Sequence, residues 1–461
     1  MTFGDFVTAT ALVGHELMLF AAVGIGIGGI SDLVVDLIWI CRSLWRRVFV
    51  YGRFARADSD TLHPAQKPGT IAIFIPAWDE AAVIEPMLRH AVSAWVNGDW
   101  RIYVGAYPND PKTIEAIERV GSPRIRLVVG PRPGPTTKAD CLNTLWARLE
   151  ADEITEGRRF KAIALHDAED VVHPFEISLY DRMIEQFDLV QLPVLPLIDK
   201  RSRWIGGHYN DEFAESHSKT IVVREAIGAS IPAAGVGCAF ARDTLAKLAV
   251  LRDGAPFDAD SLTEDYELGL RLAEIGGRAA FVRLPFKGDG SVVAVRAHFP
   301  ATIEAAVRQK ARWMAGIALS GWDRLGWSGG LAEGWMRVHD RRAPIAALIL
   351  LAAYGALILT AFVTAAQWYW GYPAINPPRL LAPLLWIALV LMLWRLLMRC
   401  FFVTRAYGFA EGLLSIPRTI ISNIVAMMAA RAAISLYIHM MKAGKVRWDK
   451  TTHSFPDMEA K

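Results

Sequence analysis

The stretch from residue 162 to residue 170 reads Ala-Ile-Ala-Leu-His-Asp-Ala-Glu-Asp. Its first half is a short apolar run typical of a buried strand, and its second half holds three carboxylates within four residues. Three like charges so close together repel each other strongly unless a cation lies among them. In open α/β sheets, ligands bind at the carboxyl ends of the strands, where such a cluster would lie.

Similar apolar or β-branched runs occur on both sides of this stretch, at residues 71–75, 101–104, 126–129 and 188–191. Helix-length segments such as 80–96 and 137–149 separate the runs. This alternation predicts an α/β fold over residues 69–320, doubly wound around a mainly parallel sheet.

The composition indicates that part of the chain lies in lipid. Hydrophobic residues make up 53% of the 461 residues, which is high for a purely soluble protein. The formal net charge is only +3, so we expect no nucleic-acid partner. The four cysteines show no CxxC spacing, and we expect reduced, unpaired thiols rather than a disulfide framework or a zinc site.

Residues 17–40 are apolar apart from Ser31, Asp32 and Asp36, and they are long enough to cross a bilayer. No basic residue precedes them, as one would in a cleaved signal peptide, and five arginines follow them: Arg42, Arg46, Arg47, Arg53 and Arg56. The positive-inside rule places the N-terminus outside and the chain after Arg42 in the cytoplasm. Residues 1–68 are therefore predicted to be a transmembrane helix and a basic linker.

Residues 321–461 contain further membrane segments. The apolar runs 344–366 and 380–403 predict a transmembrane hairpin, because the loop between them has almost no positive charge. The apolar region 412–441 is interrupted by Pro417, Arg418, Asn423 and Arg431. These interruptions favour an amphipathic helix at the cytoplasmic interface over a fourth span, followed by a basic cytoplasmic tail.

Residues 24–29 satisfy the pattern GxGxxG of nucleotide-binding loops. They lie inside the first membrane segment with no strand before them. Close helix packing through small residues is the better interpretation.

Two strand ends carry side chains that could bind a nucleotide base and ribose. The first strand ends in Pro76-Ala77-Trp78-Asp79-Glu80, and the second ends in Tyr107-Pro108-Asn109-Asp110. Each motif alone is equally typical of a turn. A third motif, residues 136–143, places Lys138 at a helix start, where backbone N–H groups favour anions, although a capped and solvated helix would look the same.

The acidic cluster Asp167, Glu169 and Asp170 predicts a site for a hard divalent cation, Mg²⁺ or Mn²⁺, that bridges to substrate phosphates. A solvated loop cluster is the alternative. The metal interpretation is favoured because the cluster directly follows a buried strand.

Two later motifs complete the set. Thr263-Glu264-Asp265 opens a predicted helix that extends to residue 275, and capping alone could explain it. On a second helix that starts near Pro300, Gln309, Arg312 and Trp313 share one face. They offer a cation for a leaving phosphate and an aromatic face for a sugar ring, although a membrane anchor is the alternative.

In this order, the motifs at 76–80, 138–143, 167–170, 263–265 and 309–313 resemble those of the membrane-integrated family 2 glycosyltransferases, the group of the cellulose, chitin and hyaluronan synthases. The likeness spans about residues 69–320, and TED followed by QxxRW is specific to that group. Residues 107–110, 167–174 and 447–456 look more narrowly like the NfrB-type branch, named for its role in phage adsorption.

The resemblance implies a GT-A fold, a UDP-sugar donor, a divalent cation and inversion at the anomeric carbon. By position, Asp265 would be the general base beside Glu264, Arg312 would hold the departing pyrophosphate, and Trp313 with Gln309 would meet the acceptor. Asp167 and Glu169 stand at the DxD position, and whether Glu169 or Asp170 approaches the metal stays open. The nucleotide-sugar would meet Pro76, Ala77, Trp78, Glu80, Tyr107, Asp110, Lys138 and Asn143.

The same resemblance suggests transfer of an N-acetylhexosamine onto a growing surface glycan at the bacterial inner membrane. Two alternatives remain: a non-processive transferase to a lipid carrier, and a catalytically silent membrane scaffold or receptor. About three spans are few for a polysaccharide channel, so we expect a homo-oligomer or an export partner besides the membrane lipids.

Overall fold

The computed structural model describes residues 2–373, 375–443 and 454–456. A seven-stranded sheet in the order β3-β2-β1-β4-β6-β5-β7 forms its centre. The strands are β1 Ile71–Pro76, β2 Trp100–Ala106, β3 Ile125–Val129, β4 Ala162–Leu165, β5 Leu189–Gln191, β6 Cys238–Ala241 and β7 Ala279–Phe281. All five predicted strands are present.

The sheet is mainly parallel, as predicted. Strand β1 pairs in parallel with β2 and β4, β2 pairs with β3, and β5 pairs with β7. The exception is β6, which runs antiparallel between β4 and β5. The short strands β6 and β7 were not predicted from the sequence.

Helices cover both faces of the sheet. Alternate residues of β1 point to opposite faces, so Ile73 packs in the apolar layer that contains Met87, while Phe74 packs in the layer that contains Leu145. The helices of this domain are α2 Ile84–Ala94, α3 Pro111–Glu118, α4 Lys138–Glu156, α5 Glu176–Met183, α6 Ile205–Glu215, α7 Ile221–Ala226, α8 Arg242–Val250, α9 Glu264–Glu274, α10 Ile303–Met314, α11 Gly321–Leu325 and α12 Leu331–Arg341.

Among the described residues, four helices are long and apolar enough to cross a membrane: α1 Phe3–Trp45, α13 Ala343–Trp370, α14 Leu381–Tyr407 and α15 Phe409–Ala443. Helix α1 begins well before the predicted residue 17, because Thr2 and Asp5 form a capping box at its start. A π-helical segment, Arg46–Val50, follows α1.

Two glycines of the GxGxxG stretch, Gly24 and Gly29, lie at helix contacts, whereas a Cβ atom at Gly26 or Gly28 would meet no atom within 4 Å. A Cβ atom at Gly24 would come within 2.6 Å of Ile349 in α13, and one at Gly29 would come within 3.0 Å of Leu391 in α14. Helix α1 packs along both of these helices. The predicted role in close helix packing is therefore confirmed for Gly24 and Gly29 but not for Gly26 and Gly28.

Helix α15 is one continuous helix with Pro417 inside it, and it packs against α6, α10, α13 and α14. Its length and composition would also allow a crossing, so the predicted interfacial position stays a prediction. The predicted basic tail and the family-like motif 447–456 lie mostly outside the described residues. Of that motif, Ser454–Pro456 is described, and Phe455 packs on the core of the α/β domain beside His90.

Candidate active site

A pocket opens at the carboxyl ends of β1 and β4, where α4, α9 and α10 also contribute side chains. It brings together most of the predicted site residues, although they are far apart in sequence. The predicted residues that line it are Pro76, Glu80, Lys138, Asp167, Glu169, Asp170, Glu264, Asp265, Gln309, Arg312 and Trp313.

Lys138 provides a positive charge inside the pocket. It is the first residue of α4, whose N-cap Thr137 accepts a hydrogen bond from the Asp140 backbone N–H. Its Nζ lies 2.6 Å from Asp167 Oδ1. Burial alone would lower the pKa of Lys138, but the carboxylates of Asp167, Glu264 and Asp265 outweigh it and raise the pKa. The amine is therefore a fixed cation at the helix start, where an anion is favoured.

The acidic cluster after β4 is partly neutralised within the protein. Asp170 Oδ2 accepts hydrogen bonds from His166 Nδ1 at 2.9 Å and from the Asp167 N–H at 3.0 Å. His166 Nε2 lies 3.2 Å from Glu176 Oε2. Burial works against protonation of His166, but these two acids raise its pKa to about 10. Asp170 thus has an internal cation partner, so charge repulsion in this cluster does not by itself require a metal.

The acidic residues after β4, Asp167, Glu169 and Asp170, line the part of the pocket where a divalent cation was predicted. Within residues 2–373, 375–443 and 454–456, no three His, Cys, Asp or Glu side chains are grouped as a ready-made metal cage. Mg²⁺ commonly needs only one or two carboxylates when substrate phosphates supply further oxygens. Asp167 and Glu169 both line the pocket and offer such hard oxygen ligands, so they fit a cation that binds together with a diphosphate.

Capping by Thr263 does not explain the Thr263-Glu264-Asp265 motif, because its side chain makes no cap hydrogen bond to α9. Both acids of the motif line the pocket. Burial, and then repulsion from Asp265, raises the pKa of Glu264 to about 7. Burial also raises the pKa of Asp265, although Lys138 opposes this shift. The pair therefore holds protons more tightly than ordinary carboxyls, as suits a general base working near neutral pH.

A glycine makes room for the Asp265 carboxylate. Gly235 has a φ of +74°, and a Cβ atom there would collide with Asp265 Oδ2. The other oxygen, Oδ1, accepts a hydrogen bond from the Tyr266 N–H at 2.8 Å. The loop before β6 thus determines how the Asp265 carboxylate sits, a role that sequence reasoning missed.

Helix α10 presents Gln309, Arg312 and Trp313 to the pocket on one face, as predicted. The Trp313 ring packs against Phe213 and Phe299, with ring centroids 6.3 and 6.5 Å away. Trp313 is thus engaged with the catalytic domain, which argues against the alternative of a membrane anchor.

Side chains of α6 form ion pairs with both α10 and α14. Lys310 Nζ lies 2.6 and 2.7 Å from the two carboxylate oxygens of Glu212 in α6. On the same helix, Glu215 Oε2 lies 3.3 Å from Arg399 Nε of α14. Ion pairs on α6 therefore link α14, which is long and apolar enough to cross a membrane, to α10, which carries Arg312.

Five predicted nucleotide-binding residues do not line this pocket: Ala77, Trp78, Tyr107, Asp110 and Asn143. Trp78 and Tyr107 pack edge to face at 5.2 Å, and Tyr107 lines a smaller neighbouring pocket. Asp110 Oδ2 accepts a hydrogen bond from the Asp79 N–H at 2.6 Å, which ties the loops after β1 and β2 together. Asn143 exchanges two hydrogen bonds with the Phe257 backbone, at 2.7 and 3.0 Å.

One wall of the pocket was not predicted. It contains His298, Phe299 and Pro300, together with Val194 and Phe213. His298 Nδ1 is buried and makes no hydrogen bond to any residue of the described ranges. The sequence signal was the His-Phe-Pro run before α10, of which only Pro300 was used, as a helix start.

The chain is similar to known glycosyltransferases and phage adsorption proteins. It is 36% identical, over 476 aligned residues, to bacteriophage adsorption protein B of Escherichia coli strain K12 and to bacteriophage N4 adsorption protein B of Escherichia coli O157:H7. Each alignment covers 98% of this chain and 64% of the relative. This chain thus spans less than two thirds of the length of these relatives.

A solved structure supports the fold. The mannosyltransferase PcManGT from Pyrobaculum calidifontis, in complex with GDP-Man and Mn²⁺, matches with a TM-score of 0.51 at 15% identity, covering 87% of this chain and 99% of that one. The expected GT-A fold is confirmed by this likeness. Residues 68–316 match the family described as glycosyltransferase like family 2. With more than half of its length inside that match, the chain belongs to glycosyltransferase family 2.

Proposed function

We propose that this glycosyltransferase transfers one sugar at a time from a UDP-sugar to a glycan or lipid-linked acceptor, with inversion at the anomeric carbon. One observation carries the proposal: Asp265, Lys138, Arg312 and Trp313 line a single pocket. A base, two cations and an aromatic face are the groups that a direct displacement needs, and no covalent glycosyl intermediate is required.

In this mechanism, Asp265 accepts the proton of the acceptor hydroxyl as that oxygen attacks the sugar carbon. Lys138 and Arg312 stabilise the negative charge that grows on the departing diphosphate. When the donor binds, Lys138 gives up part of its ion pair with Asp167 and contacts the diphosphate instead. A Mg²⁺ or Mn²⁺ ion beside Asp167 and Glu169, when bound, adds further positive charge at the diphosphate.

The product class is inferred from the relatives. Both are named for bacteriophage adsorption, which fits an enzyme whose glycan reaches the cell surface. From the resemblance to the NfrB-type branch we further propose an N-acetylhexosamine as the transferred sugar and the bacterial inner membrane as the location. Repeated addition to a growing glycan is the main hypothesis, and a single addition to a lipid carrier is the second.

The position of the C-terminal residues supports a topology in which they and the catalytic domain lie on the same side of the membrane, and the arginines after α1 favour the cytoplasmic side. This domain lies between α1 and α13 in the chain, and Phe455, after α15, packs on the same domain. The chain must therefore cross the membrane an even number of times between the two points. The α13–α14 hairpin supplies two crossings, which leaves α15 at the interface, and its buried Arg418 is compatible with that position.

The proposal is tested by an activity assay in which the full chain in detergent is incubated with individual UDP-sugars, Mn²⁺ and a membrane lipid extract. We expect UDP release with one UDP-sugar, and a product whose mass rises by that sugar. A ladder on a sizing gel identifies repeated addition, whereas a single band identifies one addition. A chain that binds UDP but releases none from any donor would show that the scaffold alternative is correct.

A further inference from the structure

Three arginines from separate parts of the chain gather near the ends of the membrane helices. Arg56 lies in the linker after α1, Arg283 follows β7, and Arg405 lies in the last turn of α14. Arg56 Nη2 donates a hydrogen bond to the Arg283 backbone carbonyl at 3.2 Å. The charges of Arg56 and Arg405 both act on the Arg283 guanidinium. These three side chains are called the arginine cluster below.

Arg283 lies in an unfavourable environment for a cation. Its Nε is buried and makes no hydrogen bond to any residue that the structure describes. Burial, followed by the charges of Arg405 and Arg56, lowers its pKa to about 10, and no described carboxylate offsets these effects. The neighbouring His217 is kept neutral, because burial and Arg283 lower its pKa to about 3. A half-buried guanidinium whose Nε has no partner and no counter-charge among the described residues is destabilising, so an external anion would relieve it.

Membrane topology explains two members of the cluster but not Arg283. Arginines such as Arg56 and Arg405 commonly flank membrane helices on the cytoplasmic side. Arg283 belongs to the catalytic domain, where the bond from the Val282 N–H to the Gln191 carbonyl, at 2.9 Å, fixes the strand that leads to it. The Tyr407 hydroxyl donates to the Pro196 carbonyl at 2.8 Å, which brings the end of α14 to the same part of the domain.

We propose that the arginine cluster is a binding site for a phosphate group, separate from the sugar-transfer pocket. Guanidinium groups bind phosphate oxygens through paired, charge-assisted hydrogen bonds, and three of them from different elements can surround one phosphate. The phosphate comes either from the headgroup of an anionic phospholipid or from a free phosphate. When occupied, the site links α1, α14 and the catalytic domain through one ligand.

The site is tested by measuring the thermal unfolding midpoint of the full chain in detergent. The probes are short-chain phosphatidylglycerol, short-chain phosphatidylcholine and inorganic phosphate, each titrated separately. A rise of several degrees with phosphatidylglycerol, but with neither of the other probes, identifies a lipid headgroup. A rise with inorganic phosphate as well shows that free phosphate is sufficient.

Variants separate this site from general lipid effects. We expect Arg283→Gln and Arg405→Gln each to weaken the apparent affinity at least tenfold, whereas Arg89→Gln, an exposed arginine on α2, leaves it unchanged. Arg405 is exposed, so its variant carries the test if Arg283→Gln fails to fold. The proposal is wrong if neither anion raises the midpoint, or if the Arg405→Gln protein responds like the unmodified chain.

Discussion

Lys138 Nζ lies 2.6 Å from Asp167 Oδ1, so the start of α4 is ion-paired with the loop after β4. The two residues are 29 positions apart and come from different βα units. In the proposed mechanism this pair is the part of the site that the donor diphosphate changes, because the phosphate oxygens compete with Asp167 for Lys138. The carboxyl groups of Glu264 and Asp265 at the start of α9 line the same pocket, so the charge of Lys138 also influences their protonation.

The proposed role of Asp265 as the base leads to the first prediction. Asp265→Asn removes the proton acceptor but keeps the size of the side chain, so we expect turnover to fall by about 10² to 10⁴-fold. UDP affinity, measured by calorimetry, should change little, because the proposed nucleotide contacts lie elsewhere. Asp260→Asn, in the exposed loop before α9, is the matched control. Turnover that persists in the Asp265→Asn protein would remove Asp265 from its proposed role.

The raised pKa of Glu264 leads to a prediction about stability and pH. In the unfolded chain this group ionises near 4.5, whereas burial and Asp265 raise its folded pKa to about 7. Its neutral form is thus favoured by folding, and this contribution is lost as the pH rises from the unfolded value through the folded value.

Glu264→Gln should therefore unfold at a higher temperature than the unmodified chain at pH 8, by a few degrees, and at a similar temperature at pH 4. Glu274→Gln, an exposed site on the same helix, serves as the control and should show no such trend. The explanation fails if the Glu264→Gln difference is the same at both pH values.

Gly235 offers a test of how the Asp265 carboxylate is positioned. A methyl group there collides with Asp265 Oδ2, whereas one at Gly228 meets no atom within 4 Å. Both glycines have a φ of +74°, so alanine imposes similar backbone strain at either position. We expect Gly235→Ala to lose at least tenfold in turnover and Gly228→Ala to lose much less. Equal losses in the two variants would mean that backbone strain, not the position of Asp265, determines the effect.

The sequence predicted the strands whose own residue pattern is distinctive. Strands β1 to β5 are apolar runs, most of which lead into polar motifs, and they could be located without knowledge of their partners. Strand β7 has only three residues, and its pairing of Leu189 with Ala279 joins segments 90 residues apart. Strand β6 is also short and runs antiparallel. Such strands depend on their neighbours more than on intrinsic preference, so their sequences alone give little indication of them.

The candidate active site shows the same difference between features with a local sequence pattern and features that depend on distant partners. Asp265, Arg312 and Trp313 belong to ordered motifs, and the structure brings them together. Asn143 instead bonds to the backbone of Phe257, 114 residues away, which its helical motif could not indicate. Similarly, the ion pair of His166 with Glu176 depends on how the chain turns after β4. Side chains that bond to distant backbone or buried partners were therefore the ones whose contacts the sequence did not reveal.

The proposed topology predicts the labelling of introduced cysteines. Ser454→Cys, near Phe455, should react with a membrane-impermeant maleimide in inside-out vesicles but not in right-side-out vesicles. Asn376→Cys, in the loop between α13 and α14, should show the reverse pattern. Both positions are exposed. Labelling of Ser454→Cys from the outside would mean that α15 crosses the membrane and that the interfacial assignment is wrong.

The ion pair between Glu212 and Lys310 predicts how α10 is held. Burial opposes ionisation of Glu212, but Lys310 more than compensates and lowers the pKa of this carboxyl to about 2. Lys310 also lies 5.3 Å from the centre of the Tyr209 ring, so its ammonium is held from α6 by both groups. Glu212→Gln would leave a mostly buried ammonium without its counter-charge, at a cost of about 1–3 kcal/mol.

We expect Glu212→Gln to lower both the unfolding midpoint and turnover, because α10 carries Arg312 and Trp313. The double variant Glu212→Gln/Lys310→Met should recover part of the unfolding midpoint, since the unpaired charge is then absent. Glu304→Gln, on the exposed first turn of α10, should change neither the midpoint nor turnover.

The stability difference between the unmodified chain and Glu212→Gln should narrow as the pH falls from 4.5 towards 2, where Glu212 itself takes up a proton. Additive effects in the double-mutant cycle would show that the two residues act independently and that α6 does not position α10 through this pair.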